Sequence, residues 1–181
     1  MTITVQPDEF TLVDYDPDTI SALARKVSAD AGLPDDLDIT IEVDESTPLG
    51  RARVASVDPL VLTVQSGAFE EPTAPRQFSD RVSGDVMGRL LFRVRDRLSP
   101  DFGDPPLDED LTLEHRCAWD TYAVARLRRA GYPSQRQRRL YAFRTRHGFT
   151  DVADQAFHRL WTADDLTWAD VVDLSDEAAG G

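Results

Sequence analysis

The hydrophobic period of this chain changes once along its length, and that change limits the folds open to it. Leu37–Val43 alternates apolar and polar residues, the period of a half-buried strand. Arg51–Ser56 and Leu60–Gln65 read as two further strands, separated by Asp58-Pro59. From Ser79 to Leu98 the period is helical. Val82, Val86, Leu90, Val94 and Leu98 recur every four residues, with Met87 and Leu91 beside them, which makes a wide apolar stripe. No strand-like alternation returns after it.

Start and stop signals place the remaining elements. Thr2–Val5 alternates and reads as a short strand. Asp16-Pro17-Asp18 opens a helix carrying Ile20, Leu23, Ala24 and Val27, and Gly32 with Pro34 closes it. Beyond Asp101–Pro106, rich in Pro, Gly and Asp, four helices are expected. Thr112, Ser134, Thr150 and Thr167 cap them, the last with Asp170 in a capping box. This last helix is expected to be short, ending near Val172, with Ser175–Gly181 frayed. The fold class is α+β: a small, mostly antiparallel sheet of about three to four strands packed on two long helices, with an added C-terminal helical region. Antiparallel pairing is expected because the connections are too short for crossovers. The domains are expected at 1–105 and 106–181.

Charge narrows the function. The 181-residue chain carries 33 acids and 20 bases, a net charge of −13, so as a whole it should repel nucleic acid and anionic membrane. Nineteen of the bases are arginine and one, Lys26, is lysine. They are unevenly placed. Residues 116–146 hold nine arginines and one acid, while the residues on either side are strongly acidic. One cysteine, Cys117, cannot form an intrachain disulfide and suits a reducing cytosol. Met1–Phe10 has neither the basic nor the apolar part of a signal peptide, and no apolar run approaches a membrane span. The expected location is cytoplasmic, with no membrane partner.

Chemistry-bearing motifs are few. His115, His147 and His158 include no pair four apart, and there is no Cys-x-x-Cys, so no transition-metal site is expected. His147, close to a helix C-terminus, is expected to be favoured in a partly positive form there. Cys117, mid-helix beside Ala118 and Trp119, reads as an inert buried thiol. There is no nucleophile elbow, phosphate loop or calcium loop, and no catalytic residue or cofactor is expected. Gly84 and Gly88, four apart in the long helix, read as a close-packing seam or a seam for a partner.

The arginine block is the one candidate binding site: Arg126, Arg128, Arg129, Tyr132, Arg136, Arg138, Arg139, Arg144 and Arg146. Tyr141 and Phe143 are interleaved with it, and arginines among aromatics can hold phosphates and stack bases. Gln135–His147, Gly148-Phe149 and Thr150–Trp161 also have the outline of a helix-turn-helix. Asp151 and Asp154, however, stand at the start of what would be the reading helix, with the wrong sign for phosphate. Three readings remain open: pairing with the chain's own acids, an acidic protein partner or self-association, and nucleic acid.

At Thr47-Pro48-Leu49-Gly50-Arg51 the chain resembles a known family. Helix, strand, Pro-Leu-Gly turn, a strand running into Val61–Phe69, then a long amphipathic helix closing with Ser99-Pro100-Asp101-Phe102-Gly103 is similar to the minimal zincin-like metallopeptidases of bacteria. The likeness covers about residues 17–103. It implies a long helix carrying His-Glu-x-x-His, two zinc ligands and a general base. Here that helix reads Ser83-Gly84-Asp85-Val86-Met87-Gly88-Arg89-Leu90-Leu91, with no histidine between Ser79 and Leu98. No catalytic residue carries over. The resemblance implies a degenerate, metal-free member that works through protein contacts; an unrecognised hydrolase is the remaining alternative.

Overall fold

A computed structural model describes the whole chain, Met1–Gly181. The fold class is α+β, with six α-helices and one four-stranded mixed sheet. The chain divides into two compact units, Met1–Arg95 and Asp96–Gly181.

The first unit begins with β1 (Thr2–Gln6), α1 (Pro17–Ala31) and β2 (Asp38–Asp44). The Asp16 carboxylate accepts the backbone N–H groups of Asp18 and Thr19, so three signals agree on where α1 starts. It stops at Gly32, whose φ of 74° is the left-handed region that glycine enters without strain. Ile20, Ala24, Val27 and Ala31 are buried, and α1 packs on β1. Strand, helix and strand make a crossover, and β1 and β2 accordingly pair in parallel from Thr2↔Asp38 to Gln6↔Glu42.

The rest of the sheet corrects the expected pairing. β3 (Ala52–Val57) and β4 (Leu60–Gln65) form an antiparallel hairpin, but it is β4 that lies beside β2, giving the order β1-β2-β4-β3. β2 and β4 run parallel from Ile39↔Leu60 to Asp44↔Gln65. Two of the three pairings are therefore parallel. Short connections would imply antiparallel neighbours only if consecutive strands were neighbours, and here β3 is itself the crossover between β2 and β4. Alternation survives intact: Ile39, Ile41 and Val43, and Leu60, Leu62 and Val64, are buried on one face.

After β4 the chain makes one 3₁₀ turn, Ser66–Phe69, before α2 (Asp80–Leu98). This turn fixes the Pro-Leu-Gly loop. Ser66 Oγ donates to the Thr47 carbonyl at 2.9 Å, and the Tyr15 hydroxyl donates to the Ser66 carbonyl at 2.7 Å. A Cβ on Gly67 would lie 1.9 Å from the Pro48 carbonyl oxygen, so only glycine fits. Tyr15 also packs edge-on against Phe10 and Phe78.

The second unit starts inside α2 and contains α3 (Leu113–Arg129), α4 (Arg136–His147), α5 (Asp151–Thr162) and α6 (Trp168–Gly180). The division falls in the last turn of α2, ahead of the expected break at 105/106, because Asp96 and Arg97 are tied to residues further along. At 17 residues α3 is longer than α1 at 15, so the long helices are not confined to the sheet-bearing part. α3 packs against α4, α5 and α6 around Phe102, Trp119, Tyr122, Phe143, Phe157, Leu160 and Val171. Thr112, Thr150 and Thr167 cap as expected, with the Asp170 capping box present. Ser134 does not; α4 begins at Arg136 after an N-cap, Gln135, that makes no side-chain bond. α6 continues to Gly180 instead of fraying, because Ser175 and Ala178 are buried along it. No helix is long and apolar enough to cross a membrane.

Gly67→Ala should destabilise the protein by about 1–3 kcal/mol, the cost of forcing a methyl against backbone. Gly50→Ala is the control, since a Cβ there meets nothing closer than 3.8 Å. Urea unfolding midpoints compare the two variants; equal midpoints would contradict this account of the loop.

Candidate functional site

The arginine block lies on α3 and α4 and on the turn between them, and the structure distributes its members among different tasks. Arg126 is buried. Its two terminal nitrogens meet the two carboxylate oxygens of Asp96, each at 2.6 Å, and its guanidinium lies 3.8 Å from the centre of the Tyr122 ring. Trp119 Nε1 donates to Asp96 Oδ2 at 2.7 Å. Arg126 is thus held by one of the chain's own acids, one of the three readings open for the block. Burial of Asp96 demands such a partner, because an unpaired carboxylate out of water is strongly disfavoured.

The neighbouring pair Arg97–Asp108 is similarly withdrawn from solvent, with Nη2 and Oδ1 2.8 Å apart. Arg97 also lies over the Trp119 ring at 4.4 Å, and Arg116 donates to the Asp108 carbonyl. Asp96, Arg97 and Asp108 lay outside the sequence reading altogether. The only hint was the Tyr122/Arg126 spacing, which puts ring and guanidinium on one helical face.

Two more arginines are spent between helices. Arg129 donates to the Trp161 and Ala163 carbonyls at 2.9 Å each and pairs with Asp164, a cation at the C-terminal end of α5 where the helix dipole favours it. Arg144 holds Asp154 through Nε at 2.7 Å and Nη2 at 2.5 Å, joining α4 to α5. That bond holds the Asp154 carboxyl below its usual range and the Arg144 guanidinium above its own. Arg136 sits 5.3 Å from the Phe157 ring centre and 5.9 Å from that of Trp161. Arg128 makes one long bond, 3.4 Å, to the Ser134 carbonyl. Tyr132 and Arg139 are half-buried and engaged within the fold.

Arg138 and Arg146 remain exposed with no acid beside them. On the same side of α4 stands Tyr141, and just past the helix Phe149; each is 66% exposed. Their rings meet edge-to-face, with centres 5.9 Å apart and planes at 70°. Phe149 was not singled out by sequence. Its position after Gly148 between two helices gave no sign of exposure.

Other reactive side chains are closed off. His147 stacks on Phe143 at 3.9 Å, with Nδ1 3.1 Å from the Phe143 carbonyl and Nε2 2.9 Å from Ser175 Oγ. A carbonyl can only accept, so Nδ1 carries the proton and Nε2 accepts from the serine. The contact has the outline of a serine–histidine pair, but Ser175 and His147 are both buried, and it ties α4 to α6. Burial lowers the His147 pKa from 6.5, so the imidazole is neutral rather than partly positive as expected. Burial, and then Asp120, push the Cys117 thiol up to about 11, which leaves little thiolate at neutral pH. His115 Nε2 lies 2.8 Å from Asp176 Oδ1. Nowhere do three or more His, Cys, Asp or Glu side chains gather in a way that could hold a metal ion. Gly84 and Gly88 are buried in α2.

Compared with known proteins, the chain matches no family model, no curated protein and no solved structure.

Two measurements test this geometry. Arg126→Ala should destabilise by about 3–5 kcal/mol, because it strands the Asp96 charge; chemical denaturation reads the loss, and a change below about 1 kcal/mol would contradict the pairing. For His147, the unfolded imidazole takes up a proton near pH 6.5 while the folded one resists. Its contribution to stability is therefore complete above that pH and lost as pH falls. The melting temperature should drop between about pH 7 and pH 5, and drop less in His147→Gln.

Proposed function

We propose that this chain is a non-catalytic protein acting through protein–protein contacts, on a scaffold resembling the minimal zincin-like metallopeptidases but without their metal chemistry. The observation that carries this reading is α2. In the resemblance this helix would supply the zinc ligands. Here it spends Val86, Met87, Leu90, Leu91, Phe92 and Val94 as buried apolar side chains, with buried Gly84 and Gly88 among them. A helix face given over to packing has no imidazole, thiolate or carboxylate set to offer a cation. The order α1, β2, Pro-Leu-Gly loop, β3, β4, α2 supports the likeness in outline.

Contacts rather than catalysis also fit the remaining chemistry. The most reactive groups by type, Cys117 and His147, are both held neutral by burial. Tyr and Arg, the residue types that carry most energy in protein interfaces, stand exposed together on α4. The cytoplasm is the compartment that suits a chain with one thiol and no disulfide.

Metal analysis of the purified protein is the test. Zinc should be well below stoichiometric, and a chelator should leave the melting temperature unchanged. Stoichiometric zinc, or peptide hydrolysis abolished by the chelator, would overturn the reading.

A further inference from the structure

We propose that the outer face of α4, continued by Phe149, is a docking surface for an acidic protein segment that presents apolar side chains. This rests on the contact-based reading above and names the surface and the chemistry of its partner.

The face is defined by helical spacing. Arg138 and Tyr141 are three apart, Arg138, Ala142 and Arg146 follow at intervals of four, and Thr145 follows Tyr141 by four, so these five spread over one half of the circumference of α4. All are exposed, as is Phe149, whose ring rests against that of Tyr141. Two large aromatic rings left two-thirds in water are unusual company for each other on a surface rich in charge. They supply an apolar contact with few rotamers to freeze.

Charge selects the partner. The chain is acidic, at −13, and its arginine block is largely consumed internally. Arg126, Arg129 and Arg144 face Asp96, Asp164 and Asp154, and Arg136 faces two rings. Arg138 and Arg146 are the members left without an acid on this face, which they share with Tyr141. A segment with carboxylates around an apolar anchor complements that layout, with the rings taking the anchor and the arginines taking the acids.

Two other occupants fit less well. Successive bases of a single strand stack parallel to one another, and rings inclined at 70° cannot both serve as platforms for such a stack. A second copy meeting this face with its own would set arginine against arginine.

Fluorescence anisotropy on the full chain tests the proposal with a short labelled peptide of Asp and Glu bearing Leu and Phe at positions i, i+3, i+4 and i+7. The peptide should bind. Its counterpart with lysine in place of the acids, and one with alanine in place of Leu and Phe, should not. Arg138→Glu with Arg146→Glu, and separately Tyr141→Ala with Phe149→Ala, should each weaken binding at least about fivefold. Circular dichroism melts should match the parent, as these side chains are exposed. Absence of peptide binding, equal binding of the lysine peptide, or affinity indifferent to both variant pairs would each refute the surface. So would tighter binding of labelled oligothymidylate lost in the same variants, which would make it a nucleic-acid face. Sedimentation showing self-association that these variants abolish would instead assign it to a second copy. A peptide failure leaves the metal-free reading standing, while zinc or hydrolysis would remove that reading without touching the peptide result.

Discussion

Asp96 is a carboxylate taken out of water, and the second unit is organised by what must be done about it. Three donors converge on its two oxygens, two from Arg126 and one from the Trp119 indole. The same indole stacks on Phe102 with ring centres 5.5 Å apart and meets Trp168 at 5.0 Å, while Arg97 lies over its face. One buried charge therefore fixes the rotation of α3 about its own axis, and α3 is the helix on which α4, α5 and α6 all pack. Such a cluster need not add net stability over an apolar replacement of the same volume. Its force is in exclusivity: any packing of α3 that leaves Asp96 unmet costs several times what a misplaced leucine would.

The arginine block illustrates how charge in a sequence differs from charge on a surface. Residues 116–146 carry nine arginines against one acid, a basic block between acidic flanks. Folding brings Asp96, Asp154 and Asp164, from before and after the block, onto Arg126, Arg144 and Arg129. Arg129 also meets carbonyls at the end of α5, where a cation offsets the helix dipole. Three arginines of the block are thus neutralised by acids from outside it, while Arg136 turns to aromatic rings and Arg116 and Arg128 to backbone carbonyls.

Much of the element order was legible because its signals are local. Asp16, Thr112, Thr150 and Thr167 each cap a helix with their own side chain. What escaped was information carried between distant residues. Alternation says which face of a strand is buried but not which strand lies beside it, so the insertion of β4 between β2 and β3 had no signature. Gly67 is indispensable only because Pro48, nineteen residues earlier, brings its carbonyl there. His147 sat at a helix end where a charge is favoured, yet Phe143 and Ser175 enclose it. Of the candidate site, the residue types were legible but their exposure was not. Aromatic residues in a helix usually mark the core, and only the fold separates Phe143, which is buried, from Tyr141, which is not.

A cationic face on a strongly acidic chain places two electrostatic terms in opposition. At separations beyond about 10 Å, the Debye length near 0.1 M salt, an approaching acidic partner responds to the net charge of −13 and is repelled. Inside that distance it responds to Arg138 and Arg146. Salt weakens both terms, and the long-range repulsion is screened first because the contact itself excludes part of the solvent. The rate of encounter should therefore gain from added salt even as the local attraction loses. In such an arrangement the aromatic pair is what gives the contact strength that salt does not erode, since burial of Tyr141 and Phe149 depends on area and not on charge. The arginines then act chiefly as a filter, admitting carboxylates to a patch whose apolar surface alone would accept many partners.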